Sequence, residues 1–246
     1  MRRREAVATL VAALAAPRAA FASAGVPVLM YHAVNDTHPH NEIALGLTLP
    51  SKDFEEQLRY LQAHGIVTLT VTEIVDGLTR RELPKRAVGL TFDDGYADAG
   101  RIAFPLLQRY GAKATFFVNS GSIGTPNHLT WKEIRAMHAG GMEIGGHGQH
   151  HLDLTTLDRA EQMREAGGCL DRIARWAGFR PLSYAYASGQ YNATTLDVMR
   201  TIGVRSAWTE RYGTAHDLHE PYEMPRLRVA RGYDIAQFAA LVSSGA

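Results

Sequence analysis

The sequence predicts an α/β protein, a (β/α) barrel of about seven parallel strands. Short apolar runs alternate with helical patterns over most of the 246 residues, which is typical of strands joined by crossover helices. About seven such units fit into a chain of this length, which favours a closed barrel over an open doubly wound sheet. Polar residues follow several of the apolar runs, as expected if the carboxyl ends of barrel strands carry a site.

The predicted strands are short apolar runs with branched and aromatic residues. In chain order they are VPVLMYH at 26–32, IVTLTV at 66–71, AVGLTFDDG at 87–95, KATFFVN at 113–119, MEIGGH at 142–147, PLSYAYAS at 181–188, VRSAWT at 204–209 and LRVA at 227–230. We expect the last two to close the sheet. The polar residues at the strand ends are His32, Asp93, Asp94, Asn119, His147, Ser188 and Gly189.

Helical patterns lie between these strands. They cover 51–65, 72–80, 97–110, 131–141, 157–178 and 194–203. We expect Ser51 to cap the first helix and Gly65 to end it, because Ser is a good N-cap and Gly adopts the left-handed conformation that ends helices. The single cysteine, Cys169, lies in the 157–178 helix, where we expect a buried and unreactive thiol.

The first 24 residues have the layout of an export signal. A basic start is followed by an apolar Ala/Leu/Val stretch and by the small residues Ala22-Ser23-Ala24. The apolar stretch is too short to span a bilayer. We therefore expect a signal peptide at 1–24 and a mature domain at 25–246, periplasmic or extracellular, without a transmembrane segment. An amphipathic helix on a cytoplasmic protein is the alternative.

The charge balance does not indicate binding to nucleic acid. The chain has 26 basic and 25 acidic residues, but four of the basic residues and one of the acidic residues lie in 1–24, which leaves a net charge near −2. Domains that bind nucleic acid are usually basic. We expect no nucleic-acid partner.

Two adjacent aspartates, Asp93 and Asp94, end the third predicted strand in TFDDGY. Adjacent carboxylates repel each other, which raises the pKa of one of them unless a cation lies between them. Neighbouring strand residues point to opposite faces, but a turn at Gly95 allows both carboxylates to approach one centre. A solvated Asp-Asp-Gly turn is the alternative, and the dipeptide alone does not decide between the two.

Three histidines follow the fifth predicted strand in HGQHH, at 147–151. Two imidazoles and one carboxylate form a ligand set that leaves positions open for water and substrate, as in catalytic Zn²⁺ sites. A structural zinc site is not expected, because the chain has one cysteine. The residues alone leave open which two of the three histidines bind.

Together these motifs resemble those of the polysaccharide deacetylase family, the NodB-homology domain of carbohydrate esterase family 4. TFDDGY at 91–96 matches the first family motif, and GHGQHHLDL at 146–154 matches the second, His-Ser/Thr-x-x-His. The resemblance covers roughly 26–240 and extends to VLMYHAV, KATFFV, LTWKEI, SYAYASGQYN and MPRLRV. It implies a deformed (β/α) barrel of parallel strands.

The resemblance also implies roles for the residues of the two motifs. A divalent metal ion, expected to be Zn²⁺ with Co²⁺ or Ni²⁺ as alternatives, would be bound by Asp94, His147 and His151. His150 would stay outside the ligand set. Asp93 would be the general base that activates a water at the metal.

Other residues would act on the leaving group or on the substrate. His32 would be the general acid, because a subgroup of the family carries Tyr-His near its N-terminus and the usual C-terminal Leu-x-His motif is absent; a packing role is the alternative. Tyr96, Trp131 and Tyr186 would be available to stack on sugars, although such aromatic residues are more often part of the core. Arg226 resembles a family position that contacts the base, with a surface salt bridge as the alternative.

Two departures from the family pattern concern residues near the site. The third motif, often Tyr-Pro-Tyr-Gly, reads Tyr186-Ala187-Ser188-Gly189 here. Ser188 keeps the backbone N–H that the family directs at the oxyanion, and its small side chain opens the pocket wall. Gly148 replaces Ser or Thr and removes a hydroxyl. Neither change removes a metal ligand, so we expect activity with an altered substrate preference or a reduced rate.

These residues predict a metal-dependent hydrolase that removes N-acetyl groups from an exported or cell-envelope polysaccharide containing N-acetylglucosamine. One alternative is a degenerate, catalytically weak, carbohydrate-binding member of the family. Others are a deacetylase of O-acetyl groups and a hydrolase of small cyclic amides. A glycosidase is disfavoured, because its two carboxylates flank the scissile bond at about 5 Å or more. The expected partner is an acetylated polysaccharide or oligosaccharide, and partners in the envelope or export machinery stay open.

Overall fold

The computed structural model describes residues 25–244, and the predicted signal peptide at 1–24 lies outside them. The strands are β1 Val26–Tyr31, β2 Ala33–Val34, β3 Thr48–Leu49, β4 Val67–Leu69, β5 Ala87–Phe92, β6 Thr115–Val118, β7 Glu143–Gly146, β8 Ser183–Ala185, β9 Ser206–Tyr212, β10 Thr214–Ala215 and β11 Met224–Arg228. The α-helices are α1 Glu42–Gly46, α2 Ser51–Ala63, α3 Val71–Arg80, α4 Phe104–Arg109, α5 Trp131–Ala139, α6 Arg159–Gln162, α7 Gly168–Ala177, α8 Ala193–Ile202 and α9 Ile235–Ser243.

Seven of these strands form a closed, all-parallel barrel, which confirms the fold class that the sequence predicts. Their order is β1, β5, β6, β7, β8, β9 and β11, after which β11 pairs with β1 again. Uneven overlap between neighbours deforms the barrel. β4 pairs with only the first half of β5, β7 and β8 share one register pair, Gly146 with Tyr184, and the register between β9 and β11 shifts.

Alternate strand residues face the barrel interior and the surrounding helices. Phe117 and Trp208 belong to the cluster that fills the interior. Phe92 and Phe116 stack on each other in the larger cluster beneath the helices, with ring centroids 4.8 Å apart. Asp93 follows the outward-facing Phe92, so its side chain lies on the interior side at the carboxyl end of β5.

The first predicted helix differs from the structure at its N-terminus. α2 begins at Ser51 and has Pro50 in the cap position, so the predicted Ser51 cap is wrong. The Ser51 amide and hydroxyl instead bind the Asp36 carboxylate at 2.9 Å. Gly65 follows the end of the helix with a φ of 61°, which confirms the predicted stop.

Two predicted helices contain π-helical turns. Ala99–Ala103 forms such a turn before α4, and Met163–Gly167 forms another between α6 and α7, inside the predicted 157–178 helix. Cys169 is buried at the start of α7, as predicted. None of the helices in residues 25–244 is both long enough and apolar enough to cross a membrane.

Candidate metal centre

The loops after β5 and β7 bring three ionisable side chains together. Asp94, His147 and His151 each offer one ligand atom, and these atoms all lie within 4.8 Å of one another. Asp94 Oδ1 is 3.5 Å from His147 Nε2 and 3.4 Å from His151 Nε2. These are the residues that the family resemblance implies as metal ligands. His150 lies outside the group, with its Nδ1 3.0 Å from Glu165 Oε2.

A second polar contact orients the His147 ring. His147 is buried, and its Nδ1 lies 2.8 Å from the carbonyl oxygen of Ala185 at the end of β8. Because a carbonyl only accepts, Nδ1 carries the hydrogen and donates it. When the ring is neutral, its Nε2 then carries the lone pair that would bind an ion shared with Asp94 and His151. Metal-binding histidines are commonly fixed in one tautomer in this way.

Two of the three residues have a left-handed backbone. The φ angle is 73° at Asp94 and 60° at His151, a conformation that costs about 1–2 kcal/mol for residues other than glycine. Such strain persists where the surroundings hold it, and it is concentrated at functional sites. At Asp94 this conformation turns the carboxylate towards the imidazoles.

The charges of this group favour a bound cation. Burial by itself would raise the pKa of Asp94, but its hydrogen bond with His147 and the neighbouring imidazoles hold this pKa well below its usual range. Burial would lower the pKa of His147, but the carboxylates of Asp94 and Asp93 raise it above the usual value. Two imidazole nitrogens and a carboxylate oxygen are a donor set that fits Zn²⁺ or a similar divalent ion.

Asp93 forms a buried ion pair with Arg226 inside the barrel. The Arg226 Nη1 and Nη2 atoms lie 2.7 and 2.8 Å from Asp93 Oδ1 and Oδ2. The Arg226 and Asp93 side chains are 0% and 2% exposed, so the surface salt bridge considered for Arg226 is wrong. Burial by itself would raise the pKa of Asp93, but Arg226 and nearby imidazoles hold it below its usual value. Asp93 is therefore a carboxylate near neutral pH, as a general base must be.

His32 lies beside the two aspartates. It directly follows β1, whose last residue Tyr31 pairs with Phe92 of β5. Burial lowers the pKa of its imidazole below the usual value, although the charges of Asp93 and Asp94 oppose this effect. The imidazole is thus near enough to interact electrostatically with both carboxylates. Its role as general acid stays a prediction.

Tyr96 lies between the candidate metal centre and a neighbouring cavity. Burial, together with the charge of Asp94 and a hydrogen bond to it, raises the pKa of the Tyr96 hydroxyl. The ring stacks on His128 with centroids 5.6 Å apart. Tyr96 also lines a cavity of about 850 Å³ between the segments 33–48 and 96–102.

Comparison with known proteins assigns the family. A family model described as polysaccharide deacetylase matches residues 80–207, just over half of the chain, including both aspartates and the HGQHH loop. The chain belongs to the polysaccharide deacetylase family. Members are hydrolases that act on acetylated polysaccharides.

Relatives of this chain support the assignment. It is 32% identical over 222 residues to YxkH of Bacillus subtilis (strain 168), a protein assigned to the same family, with 90% of this chain and 77% of that protein covered. It is 23% identical over 197 residues to the poly-β-1,6-N-acetyl-D-glucosamine N-deacetylase of Staphylococcus aureus (strain MRSA252), with 74% and 68% covered. The solved structure of the Streptococcus pyogenes deacetylase PplD in complex with acetate superposes with a TM-score of 0.84 at 29% identity, with 89% and 98% covered.

The third family motif of this chain forms a tight turn after β8. Ser188 is exposed and has a left-handed φ of 52°, and the Gly189 amide donates to the Tyr186 carbonyl at 2.9 Å. The Tyr186 ring is fully buried, donates its hydroxyl to the Tyr222 carbonyl at 2.8 Å and stacks on Tyr191. This ring therefore belongs to the core, and stacking of a sugar on it is not supported.

Trp131 is the first residue of α5 and packs, partly buried, against the main core. The segment before it lies beside the aspartates, because the Leu129 amide donates to the Gly95 carbonyl at 3.0 Å. Contact between Trp131 and a sugar stays a prediction.

Glu165 belongs to none of the sequence motifs, and its carboxylate contacts the HGQHH loop. This side chain is 5% exposed, and its Oε1 accepts a hydrogen bond of 2.6 Å from the His150 amide. Glu165 precedes the buried Cys169 by four residues, a spacing that puts two residues on one helix face. This spacing could have marked it as a buried charge in need of a partner.

Proposed function

We propose that this protein is a metal-dependent deacetylase that removes N-acetyl groups from a polysaccharide containing N-acetylglucosamine. The observation that carries the proposal is the group of Asp94, His147 and His151, with ligand atoms within 4.8 Å of one another, next to Asp93. Hydrolysis of an amide needs an electrophile for the carbonyl and a base for the water. The three grouped residues can hold a metal ion as the electrophile, and Asp93 is the base.

The side chains around the centre have separate tasks. Asp94, His147 and His151 would hold a divalent ion, Zn²⁺ by the donor set with Co²⁺ or Ni²⁺ as alternatives, which would polarise the acetamide carbonyl and lower the pKa of water. Asp93 takes a proton from the attacking water. Arg226 keeps the Asp93 carboxylate ionised, and each Asp93 oxygen still has a lone pair that can accept the proton. We propose that the Ser188 amide donates to the developing oxyanion. His32 gives a proton to the leaving amine nitrogen.

The choice of an N-acetylated substrate is supported by the relatives. The Staphylococcus aureus relative is named for removal of N-acetyl groups from poly-β-1,6-N-acetyl-D-glucosamine. The PplD structure contains acetate, which is the product of N- and O-deacetylation alike. The layout of residues 1–24 supports export to the periplasm or the extracellular space, where a cell-envelope or exported polymer would be the substrate.

The test is a panel of N-acetylated and O-acetylated oligosaccharides scored for acetate release by the Zn²⁺-loaded protein. We expect release from β-1,6-linked N-acetylglucosamine oligomers, and a decrease of kcat by about 10²- to 10⁴-fold in Asp93→Asn, the usual contribution of a general base. His147→Ala should lose bound metal. Undiminished activity in Asp93→Asn would contradict the base assignment, and full metal content in His147→Ala would contradict the ligand assignment.

The same panel separates the alternatives. Release from acetylated xylan alone would identify a deacetylase of O-acetyl groups. A metal-loaded protein that binds the oligomers but releases no acetate from any substrate would be a carbohydrate-binding member of the family.

A further inference from the structure

The HGQHH loop is held by groups outside the candidate metal centre. The Gly148 and Gln149 carbonyls accept hydrogen bonds from the amides of Ser120, at 3.0 Å, and Gly121, at 2.9 Å. The Gln149 Nε2 donates to the Arg164 carbonyl at 2.7 Å. These contacts fix the first part of the loop.

The next part of the loop is held by Glu165. Its Oε1 accepts from the His150 amide at 2.6 Å, and its Oε2 lies 3.0 Å from His150 Nδ1. A buried carboxylate is costly unless hydrogen bonds replace those of water. Here both oxygens bind a single residue, the one before His151.

Glu165 also fills the space that a side chain at position 148 would need. Gly148 has a φ of 89°, and a Cβ built on it would lie 2.7 Å from Glu165 Oε1 and 3.4 Å from the Tyr184 hydroxyl oxygen. The family motif has Ser or Thr at this position, within the loop itself. In this chain a glycine and a carboxylate from the π-helical turn at Met163–Gly167 complement each other instead.

His151 depends on its backbone more than His147 does. The His147 ring is buried and anchored at Ala185, whereas the His151 side chain is 41% exposed. Within residues 25–244, the contact with Asp94 is the one polar contact that we find for the His151 ring. The backbone at 150–151 therefore determines the position of the His151 Nε2. The hydrogen bond from the His150 amide to Glu165 fixes this backbone.

We propose that Glu165 is a positioning residue for the metal centre. Its bond to the His150 amide fixes the backbone so that His151 reaches the ion, and its bond to His150 Nδ1 holds the competing imidazole away. The proposal rests on the proposed metal site. It also accounts for the glycine at position 148, because the Glu165 carboxylate occupies the space that a side chain there would fill. The carboxylate also restrains the loop, as a Ser or Thr hydroxyl at this position would.

The test measures Zn²⁺ affinity of the metal-stripped protein by calorimetry. Glu165→Ala should weaken binding by about 10- to 100-fold, the usual effect of removing a group that orients a ligand. Glu165→Gln keeps the volume but can accept only one of the two bonds, so we expect a smaller loss of about 3- to 10-fold. The matched control, His150→Ala, removes the ring but keeps the amide bond, so its affinity should stay within about threefold, as for a surface substitution.

A second readout distinguishes positioning from a general loss of stability. The visible spectrum of the Co²⁺-loaded protein depends on which ligands surround the ion, so it should change in Glu165→Ala and stay the same in His150→Ala. Wild-type affinity in both Glu165 variants overturns the proposal, and this result from Glu165→Gln suffices if Glu165→Ala does not fold. An affinity loss in His150→Ala equal to that in Glu165→Ala also overturns it. Failure of the wild-type protein to bind Zn²⁺ overturns the metal site itself, a different outcome.

Discussion

Arg226 sets the charge of the residue on which the proposed chemistry depends. It holds Asp93 through two hydrogen bonds and donates from Nε to the Thr209 carbonyl at 2.9 Å. Because the pair lowers the pKa of Asp93 in the folded protein, its contribution to stability is present above the unfolded pKa. That contribution is lost as the pH falls through the lower, folded value.

Replacing this arginine should therefore change the pH dependence of catalysis. In Arg226→Gln, burial of Asp93 is no longer opposed by the guanidinium, so the pKa of Asp93 rises and the acid limb of kcat/KM moves to higher pH. The free energy of unfolding should fall by about 3–5 kcal/mol, because a buried pair is broken. Arg205→Gln, which removes a partly exposed ion pair with Asp76, is the control. An unchanged acid limb in Arg226→Gln contradicts this role.

Restoring the serine of the family motif at position 148 should harm this chain. Gly148 and Gly203 both have a positive φ, 89° and 79°, but a Cβ at Gly203 would meet nothing within 4 Å. Gly203→Ser should cost about 1–2 kcal/mol of stability from the backbone alone. Gly148→Ser should cost more and weaken Zn²⁺ binding by roughly tenfold, measured by thermal unfolding and calorimetry. Equal stability of the two variants and wild-type Zn²⁺ affinity would argue against the Glu165 contact.

The sequence allowed the grouped residues of the site to be predicted, but not what supports them. Asp94, His147 and His151 could be proposed as ligands because their side-chain types and spacing match a known motif. The contact between Glu165 and His150 could not, because it depends on a π-helical turn that brings two distant segments together. For Tyr186 the sequence predicted contact with a sugar, but the ring is buried in the core. Sequence alone does not distinguish an aromatic residue at a strand end from one inside the core.

At the scale of elements, β1, β5 and β6 were predicted well because each is a continuous apolar run with nearly every residue buried. β11 begins at Met224, three residues before the predicted strand at 227–230, because Pro225 and Arg226 interrupt its apolar pattern. The segment between β1 and α2 was not assigned any structure, and it contains β2, α1 and β3. Its two strands have two residues each, too few to produce a periodic pattern. The Ser51 cap was wrong because the Ser51 hydroxyl binds Asp36, a tertiary contact that local preference does not include.

Glu143 joins three elements at the end of the barrel opposite the site. As the first residue of β7, it accepts hydrogen bonds from the Thr72 amide and hydroxyl at 2.9 and 2.7 Å, from the Ser183 hydroxyl at 2.6 Å and from the Thr115 hydroxyl at 3.2 Å. Residues at the amino-terminal face of parallel barrels serve stability rather than chemistry.

We expect Glu143→Ala to lower stability and leave catalysis unchanged. The loss should be about 2–4 kcal/mol, because several hydrogen bonds to one charged group are removed. Denaturant unfolding measures the loss, and kcat below the unfolding temperature checks the site. Asp171→Ala, at a side chain that is 71% exposed, should change stability by less than about 0.5 kcal/mol. A fall in kcat in Glu143→Ala would link the two ends of the barrel and contradict this separation.

At the scale of the whole molecule, the candidate ligands lie on loops that only the folded sheet brings together. Asp94 follows β5, the two histidines follow β7, and β6 separates these strands. A metal ion at this site would therefore bind the folded chain and stabilise it by mass action. Zn²⁺ at 100 times its Kd should add about 2.7 kcal/mol and raise Tm by roughly 5–10 °C for a domain of this size. Thermal scans with and without Zn²⁺ measure the shift, which should be absent in His147→Ala.

The central claim is that the Asp94, His147 and His151 group holds the ion needed for deacetylation. The most direct measurement is a titration of metal-stripped protein with Zn²⁺ while acetate release from a β-1,6-linked N-acetylglucosamine oligomer is followed. We predict no release without metal, a linear rise, and a break at one ion per chain. Full activity of the stripped protein, or activity that keeps rising far beyond one ion per chain, would contradict the claim.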